Sequence, residues 1–186
     1  QLVRELCREL KAGAPLVVGL DATQLPRTGK RMPGIGWGRN PFNPAWKPGI
    51  WRRQRWVGVH GLLPRSPDGK SRAVPVRFQL AAPPNATAGV EPCPEWQAGL
   101  RLLEWVRQTL DAQGQTQRLV LAVGDGAYAN SKLLRNLPAR TVVLARCAKN
   151  RRFFHLPGAQ PRRGRKRQYG DPAPTLQERL RRKTGI

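Results

Sequence analysis

Apolar residues cluster in short runs along this chain, separated by polar, Pro- and Gly-rich stretches. LVRELCREL (2–10) has helical spacing, with Leu2, Leu6 and Leu10 on one face, and Gly13 and Pro15 end it. PLVVGL (15–20) is a continuous apolar run of strand length, as expected for a strand buried on both faces. RWVGVHGLLP (55–64) and SRAVPVRFQLA (71–81) alternate and predict two strands joined through the turn signal SPDG (66–69). Pro75 marks a bulge or an edge in the second. EWQAGLRLLEWVRQTL (95–110) is the clearest helix, with Trp96, Leu100, Leu103, Val106 and Leu110 along one face. RLVLAVGD (118–125) predicts a buried strand, AYANSKLLRNL (127–137) a short helix and RTVVLARC (140–147) a further strand. Residues 22–54 have no period and predict a long basic, Trp-containing loop, a feature that is usually functional or disordered.

From residue 148 the composition changes. KNRRFFHLPGAQPRRGRKRQYGDPAP is basic, rich in Pro and Gly, and has little to bury. It predicts a flexible, exposed basic arm over 148–186, with TLQERLRRK (175–183) as a short helix, behind a core over 1–147. The chain begins at Gln1 inside a helical pattern and ends just after another, which suggests a portion of a longer protein.

The element order is strand, two-strand hairpin, helix, strand, helix, strand. Three consecutive strands followed by alternation with helices is the order of the ribonuclease H-like fold, an α/β class with a mixed sheet flanked by helices. There the first and fourth strands lie side by side. That arrangement brings together the two acids that close apolar runs, Asp21 and Asp125. A carboxylate at the end of a buried strand costs desolvation unless compensated, and a divalent cation is one such compensation. Capping a turn is the other common use of Asp in this position.

Charge sharpens the picture. Only 11 acidic residues stand against 34 Lys plus Arg, a net +23 over 186 residues. Such a balance points to a polyanion, nucleic acid first. Arg31, Arg39, Arg52, Arg53 and Lys30 of the 22–54 stretch are interleaved with Trp37, Trp46 and Trp51. Cations contact phosphate and aromatic rings stack on unpaired bases, although Trp residues also pack on cores. The run RRGRKR (Arg162, Arg163, Arg165, Lys166, Arg167) would hold phosphates without reading bases. Cys7, Cys93 and Cys147 have no zinc spacing and read as reduced thiols, and no stretch is long and apolar enough for a membrane span.

Three blocks resemble DDE-type insertion-sequence transposases, in order: VVGLDATQLPRTGKRMPGIGWG with WVGVHGLL, then LVLAVGDGAYAN with its Asp-x-x-Tyr, then LARCAKNRRFFHLPGAQPRRGRKRQYGD. The resemblance covers about residues 16 to 180. It implies a ribonuclease H-like catalytic core, Mg²⁺ (or Mn²⁺) as cofactor, DNA as partner, cleavage and strand transfer at transposon ends, a homodimer, and a bacterial cytoplasmic, nucleoid-associated setting. By position it assigns Asp21 and Asp125 as the first two catalytic, metal-holding acids. The family's third acid, a Glu, has no convincing counterpart: Asp171 lies in the basic arm and Glu178 on an Arg-rich helix, so that acid is expected beyond Ile186. The competing reading is a non-catalytic, basic nucleic-acid-binding remnant of a transposase. A nuclease or resolvase of the same fold without strand transfer is a third.

Overall fold

The computed structural model describes the chain except residues 30, 45, 65–68, 70–71, 87–88, 149–150, 160–162 and 183–186, and of 176, 180 and 182 only the backbone. The expected turn at 66–69 falls mostly on residues outside that set, as do Lys30 and Arg162. Contacts divide the chain into two units, Gln1–Arg146 and Cys147–Ile186.

The first unit is an α/β structure built on a six-stranded mixed sheet. Its elements are α1 (Leu2–Arg8), β1 (Leu16–Pro26), β2 (Gly36–Arg39), β3 (Ile50–Leu62), β4 (Ala73–Leu80), α2 (Glu95–Ala112), β5 (Val120–Gly124), α3 (Ser131–Arg135) and β6 (Thr141–Ala145). β1 runs antiparallel to β3, from Val18↔Gly61 to Pro26↔Arg53, and parallel to β5, from Leu16↔Val120 to Leu20↔Gly124. β6 adds parallel to β5. The other edge of β3 takes β2 at Ile50–Arg53 and β4 at Trp56–Leu62. The β3–β4 register slips between Val59 and His60, opposite Pro75, so the proline sits where the ladder is already irregular.

Alternation decides which face is covered. Leu16, Val18 and Leu20 of β1, Val57 and Val59 of β3, and Val120 and Ala122 of β5 are buried in one core with Val3 and Leu6 of α1 and Leu102, Leu103, Val106 and Leu110 of α2. Gly61 belongs to this face, where a Cβ would run into Leu6. The alternate residues are less covered, and β1 is buried on one face rather than both. On that second face Phe78, Val142 and Leu144 are 50%, 50% and 60% exposed.

Arg107 fixes the approach to β5. It is 6% exposed, pairs with Asp111 at 2.8 Å and donates to the carbonyls of Arg118 and Gln115 at 2.7 and 2.8 Å. Buried guanidinium charge is tolerated here because each of these donors meets an acceptor.

The expected 22–54 loop is corrected. β1 continues to Pro26, β2 occupies Gly36–Arg39, and β3 begins at Ile50, so only 27–35 and 40–49 connect strands. Backbone ladders hold this extension, and a ladder needs no apolar alternation when little of either face is packed away.

The second unit holds α4 (Leu176–Arg182) and a paired segment that its composition did not announce. The His155 and Gly170 N–H groups donate to the carbonyls of Asp171 and His155, each at 2.9 Å, and Ala173 donates to Phe153 at 2.9 Å. Phe154 bridges Pro172, and its ring lies 5.1 Å from that of Tyr169. Backbone pairing thus joins residues 153–155 to 170–173 within the segment expected as a flexible, exposed basic arm, and Arg163, Arg165, Lys166 and Arg167 between them are exposed.

Candidate active site and nucleic-acid interface

The parallel pairing of β1 with β5 stops at Leu20↔Gly124, and the next residue on each strand is an aspartate. Asp21 and Asp125 therefore emerge side by side, both exposed, on the face opposite the core. Asp21 does not end its strand, as its sequence context suggested. It lies within β1, opposite Gly58 of β3, at the level where β5 turns away. A Cβ on Gly58 would lie 2.5 Å from His60 Nε2 and 2.8 Å from Phe78 Cε1, so these two rings lean over the backbone facing Asp21.

Asp125 leads into a 3-10 turn, Gly126–Tyr128, and one of its oxygens accepts from the Ala127 N–H at 2.9 Å. The turn-capping use of this aspartate is real and occupies one oxygen. The third strand adds a cation: Arg146 follows β6 beside Asp125, its N–H donating to the Gly124 carbonyl at 3.3 Å, and it is exposed. Asp21, Asp125 and Arg146 thus form a row across three adjacent strands. Sequence reasoning missed Arg146 as a site residue, although its position directly after an apolar strand parallel to that of Asp125 was a usable signal.

Tyr128 anchors the turn from below. It is fully buried, against Gly124 and Gly99, where added Cβ atoms would fall 2.6 and 2.9 Å from its ring. A side chain at either glycine would displace that ring. Its hydroxyl has no hydrogen-bond partner among the described residues. Burial raises its pKa, and the charges of Glu95, Asp125 and Asp21 raise it further, with Arg55 opposing. Glu95, the first residue of α2, is thereby a third carboxylate of this neighbourhood, but it is committed to an ion pair with Arg55. A helix-initial acid reads from sequence as a helix-dipole partner, which hides such a role.

These observations fix the behaviour of Tyr128→Phe. Removing a buried hydroxyl without a partner should stabilise the fold by about 1 kcal/mol at neutral pH. The wild-type folded state keeps the phenol proton at pH values where the unfolded chain, with a tyrosine pKa of about 10, loses it. That contribution is fully present below about pH 10 and is lost as pH rises further. Urea denaturation from about pH 8 to 11 should therefore show the wild type losing ground to the variant above about pH 10. Parallel curves would mean that the hydroxyl is solvated or bonded.

Two carboxylates on one face suit a hard cation such as Mg²⁺, which takes oxygen donors and keeps several waters. Asp125 retains a second oxygen, so the donor set fits, although no group of three or more His, Cys, Asp or Glu is arranged to hold a metal among the described residues. Glu178 is engaged elsewhere: it accepts from the Thr175 N–H at 2.7 Å while its own N–H donates to Thr175 Oγ1 at 3.2 Å, a reciprocal helix cap. Asp171 contributes its carbonyl to the backbone pairing of the second unit.

The basic residues fall in two places, the strand extension and the second unit. In the extension, Arg31 and Arg39 are exposed, Arg52 is half-buried, and Arg53 lies against Gly38, its pKa lowered by burial and by Arg55. Trp37 and Trp46 are 60% and 87% exposed and so do not pack on the core. Cys7, Cys93 and Cys147 are free thiols. Among the described residues no helix is long and apolar enough to cross a membrane.

No protein-family model, no curated protein and no solved structure matches the chain.

Proposed function

We propose that this chain is the catalytic-core portion of a DDE-type DNA transposase with a ribonuclease H-like fold. The observation that carries the reading is the side-by-side emergence of Asp21 and Asp125 where β1 and β5 part. The strand order β4-β3-β1-β5-β6, with β3 antiparallel to its neighbours and β1, β5 and β6 parallel, supports it, being the order that fold uses. The net charge of +23 supports DNA as the partner.

In this reading Asp21 and Asp125 would hold Mg²⁺ or Mn²⁺. When bound, such an ion activates the attacking oxygen and stabilises the leaving one in phosphodiester cleavage and joining. The protein supplies rigid placement: adjacent strands fix the two carboxylates, and Tyr128 under the turn fixes the backbone of Asp125. Arg146, which follows β6 beside Asp125, would meet a phosphate. Arg31, Arg39 and Arg52 of the strand extension, and Arg163, Arg165, Lys166 and Arg167 of the second unit, would hold the DNA backbone. The third acid of the family is not among these groups. Processing two transposon ends together implies a homodimer.

The test is a strand-transfer assay of the complete protein with Mg²⁺, a precleaved duplex carrying a free 3′-hydroxyl, and a supercoiled target. Joined product supports the proposal. Hydrolysis without joining would favour a nuclease or resolvase, and salt-sensitive binding without either product would leave a binding protein.

A further inference from the structure

The strand extension borders an open cleft of about 740 Å³ between the end of β1 and the β2–β3 pair, lined by Pro26, Arg27, Met32, Trp37, Trp51 and Arg52 with neighbouring backbone. Its volume lies within the range of about 300–1,000 Å³ typical of small-ligand pockets. It is apolar in its walls and cationic at its rim. We infer that this cleft receives an unpaired nucleobase of DNA, stacked on Trp37, with Arg27 and Arg52 on the flanking phosphates. The inference deepens the proposed function and rests on its assignment of DNA as partner.

Three features argue for this occupant. Trp37 stands 60% exposed directly across the ladder from Arg52, so an aromatic face and a cation are presented together. Exposing such a ring to water is unfavourable, and a nucleobase covers it with another π-face while its phosphates meet the charge. A duplex cannot do the same, because its base faces are already stacked on one another.

Second, the two arginines are held at the rim and keep donors to spare. Arg27 is tied to the β3 backbone by its N–H, 3.0 Å from the Arg52 carbonyl, and its Nε donates to Gln54 Oε1 at 3.4 Å. Arg52 donates from one terminal nitrogen to the Thr28 carbonyl at 3.5 Å. A guanidinium has five N–H donors, so each contact leaves others for phosphate oxygens.

Third, the aromatic surface continues beyond the cleft. Phe42, 83% exposed, packs edge-on against Trp51 with ring centres 6.1 Å apart. Successive rings beside successive cations form the usual platform for single strands.

The experiment uses the full chain with two DNA probes, a blunt duplex and the same duplex with a short single-stranded 3′ overhang carrying 2-aminopurine. The inference predicts tighter binding of the overhang probe, quenching of 2-aminopurine on binding, and a preference for overhang over blunt duplex that falls about 5- to 150-fold in Trp37→Ala. Trp37→Phe should restore part of it. Equal affinity for the two probes with unquenched 2-aminopurine would overturn the inference and leave DNA as partner standing. Failure of the wild type to bind either probe at low salt would overturn the proposed function, and this inference with it. The quenching readout needs no variant, so the inference can fail even if Trp37→Ala does not fold.

Discussion

Asp21→Asn and Asp125→Asn should each abolish Mg²⁺-dependent DNA strand cleavage by the complete protein while leaving DNA affinity intact or slightly higher. The expected loss exceeds about a hundredfold, since groups that merely orient metal ligands already cost about 10–100-fold when removed. Asn keeps the size and one oxygen acceptor of Asp but gives up the charge that would hold a divalent ion. The two substitutions should differ in one respect. In Asp125→Asn the amide oxygen can still accept from the Ala127 N–H, so the turn should survive and the fold with it. Asp21 lies inside β1 rather than at such a turn, and both substitutions relieve a charge that raises the pKa of Tyr128. Gel-based cleavage and filter binding on the same preparations separate loss of chemistry from loss of affinity. Cleavage unchanged in both variants would remove the carboxylate pair from the chemistry.

Tyr128→Ala should be the most damaging single truncation near the site, costing about 3–5 kcal/mol of stability. The ring is fully buried and fills space that Gly99 and Gly124 leave open, with Leu133 close by. The two glycines have no side chain to move into the void. For a domain whose whole stability is of order 5–15 kcal/mol, such a loss is a large fraction. It should also loosen the turn that carries Asp125, lowering activity beyond what the folded fraction explains. Denaturation by urea measures the first effect, and activity per folded molecule the second. A loss below about 1 kcal/mol would mean that the ring is not the anchor of this turn.

Much of the sheet was legible because its strands bury one face. The runs around Leu16, Val57 and Val120 carry apolar residues where the helices cover them, and the face of α2 follows the same logic. Asp21 and Asp125 stood out because each interrupts such a run. The extension of β1 to Pro26, and of β3 back to Ile50, escaped notice, since backbone pairing there is indifferent to side-chain alternation and the residues are rich in Arg, Gln and Trp. The same holds for the pairing of His155 with Asp171. Extending β1 also changes what Asp21 is: a residue inside a strand, exposed because its parallel neighbour turns away. Glu95 and Arg146 could not be singled out by type. The position of Arg146 after an apolar run hints at its place, which the register beside Asp125 fixes, while Glu95 enters through its charge on Tyr128.

The central claim is that Asp21 and Asp125 act together on one divalent ion, and Mn²⁺ binding followed by electron paramagnetic resonance tests it without requiring activity. The account predicts that the wild-type chain takes up Mn²⁺ with loss of the free-ion signal, that Mg²⁺ displaces it, and that Asp21→Asn and Asp125→Asn each remove the site. Mn²⁺ uptake unchanged by both substitutions, or absent from the wild type in the presence of DNA, would contradict it.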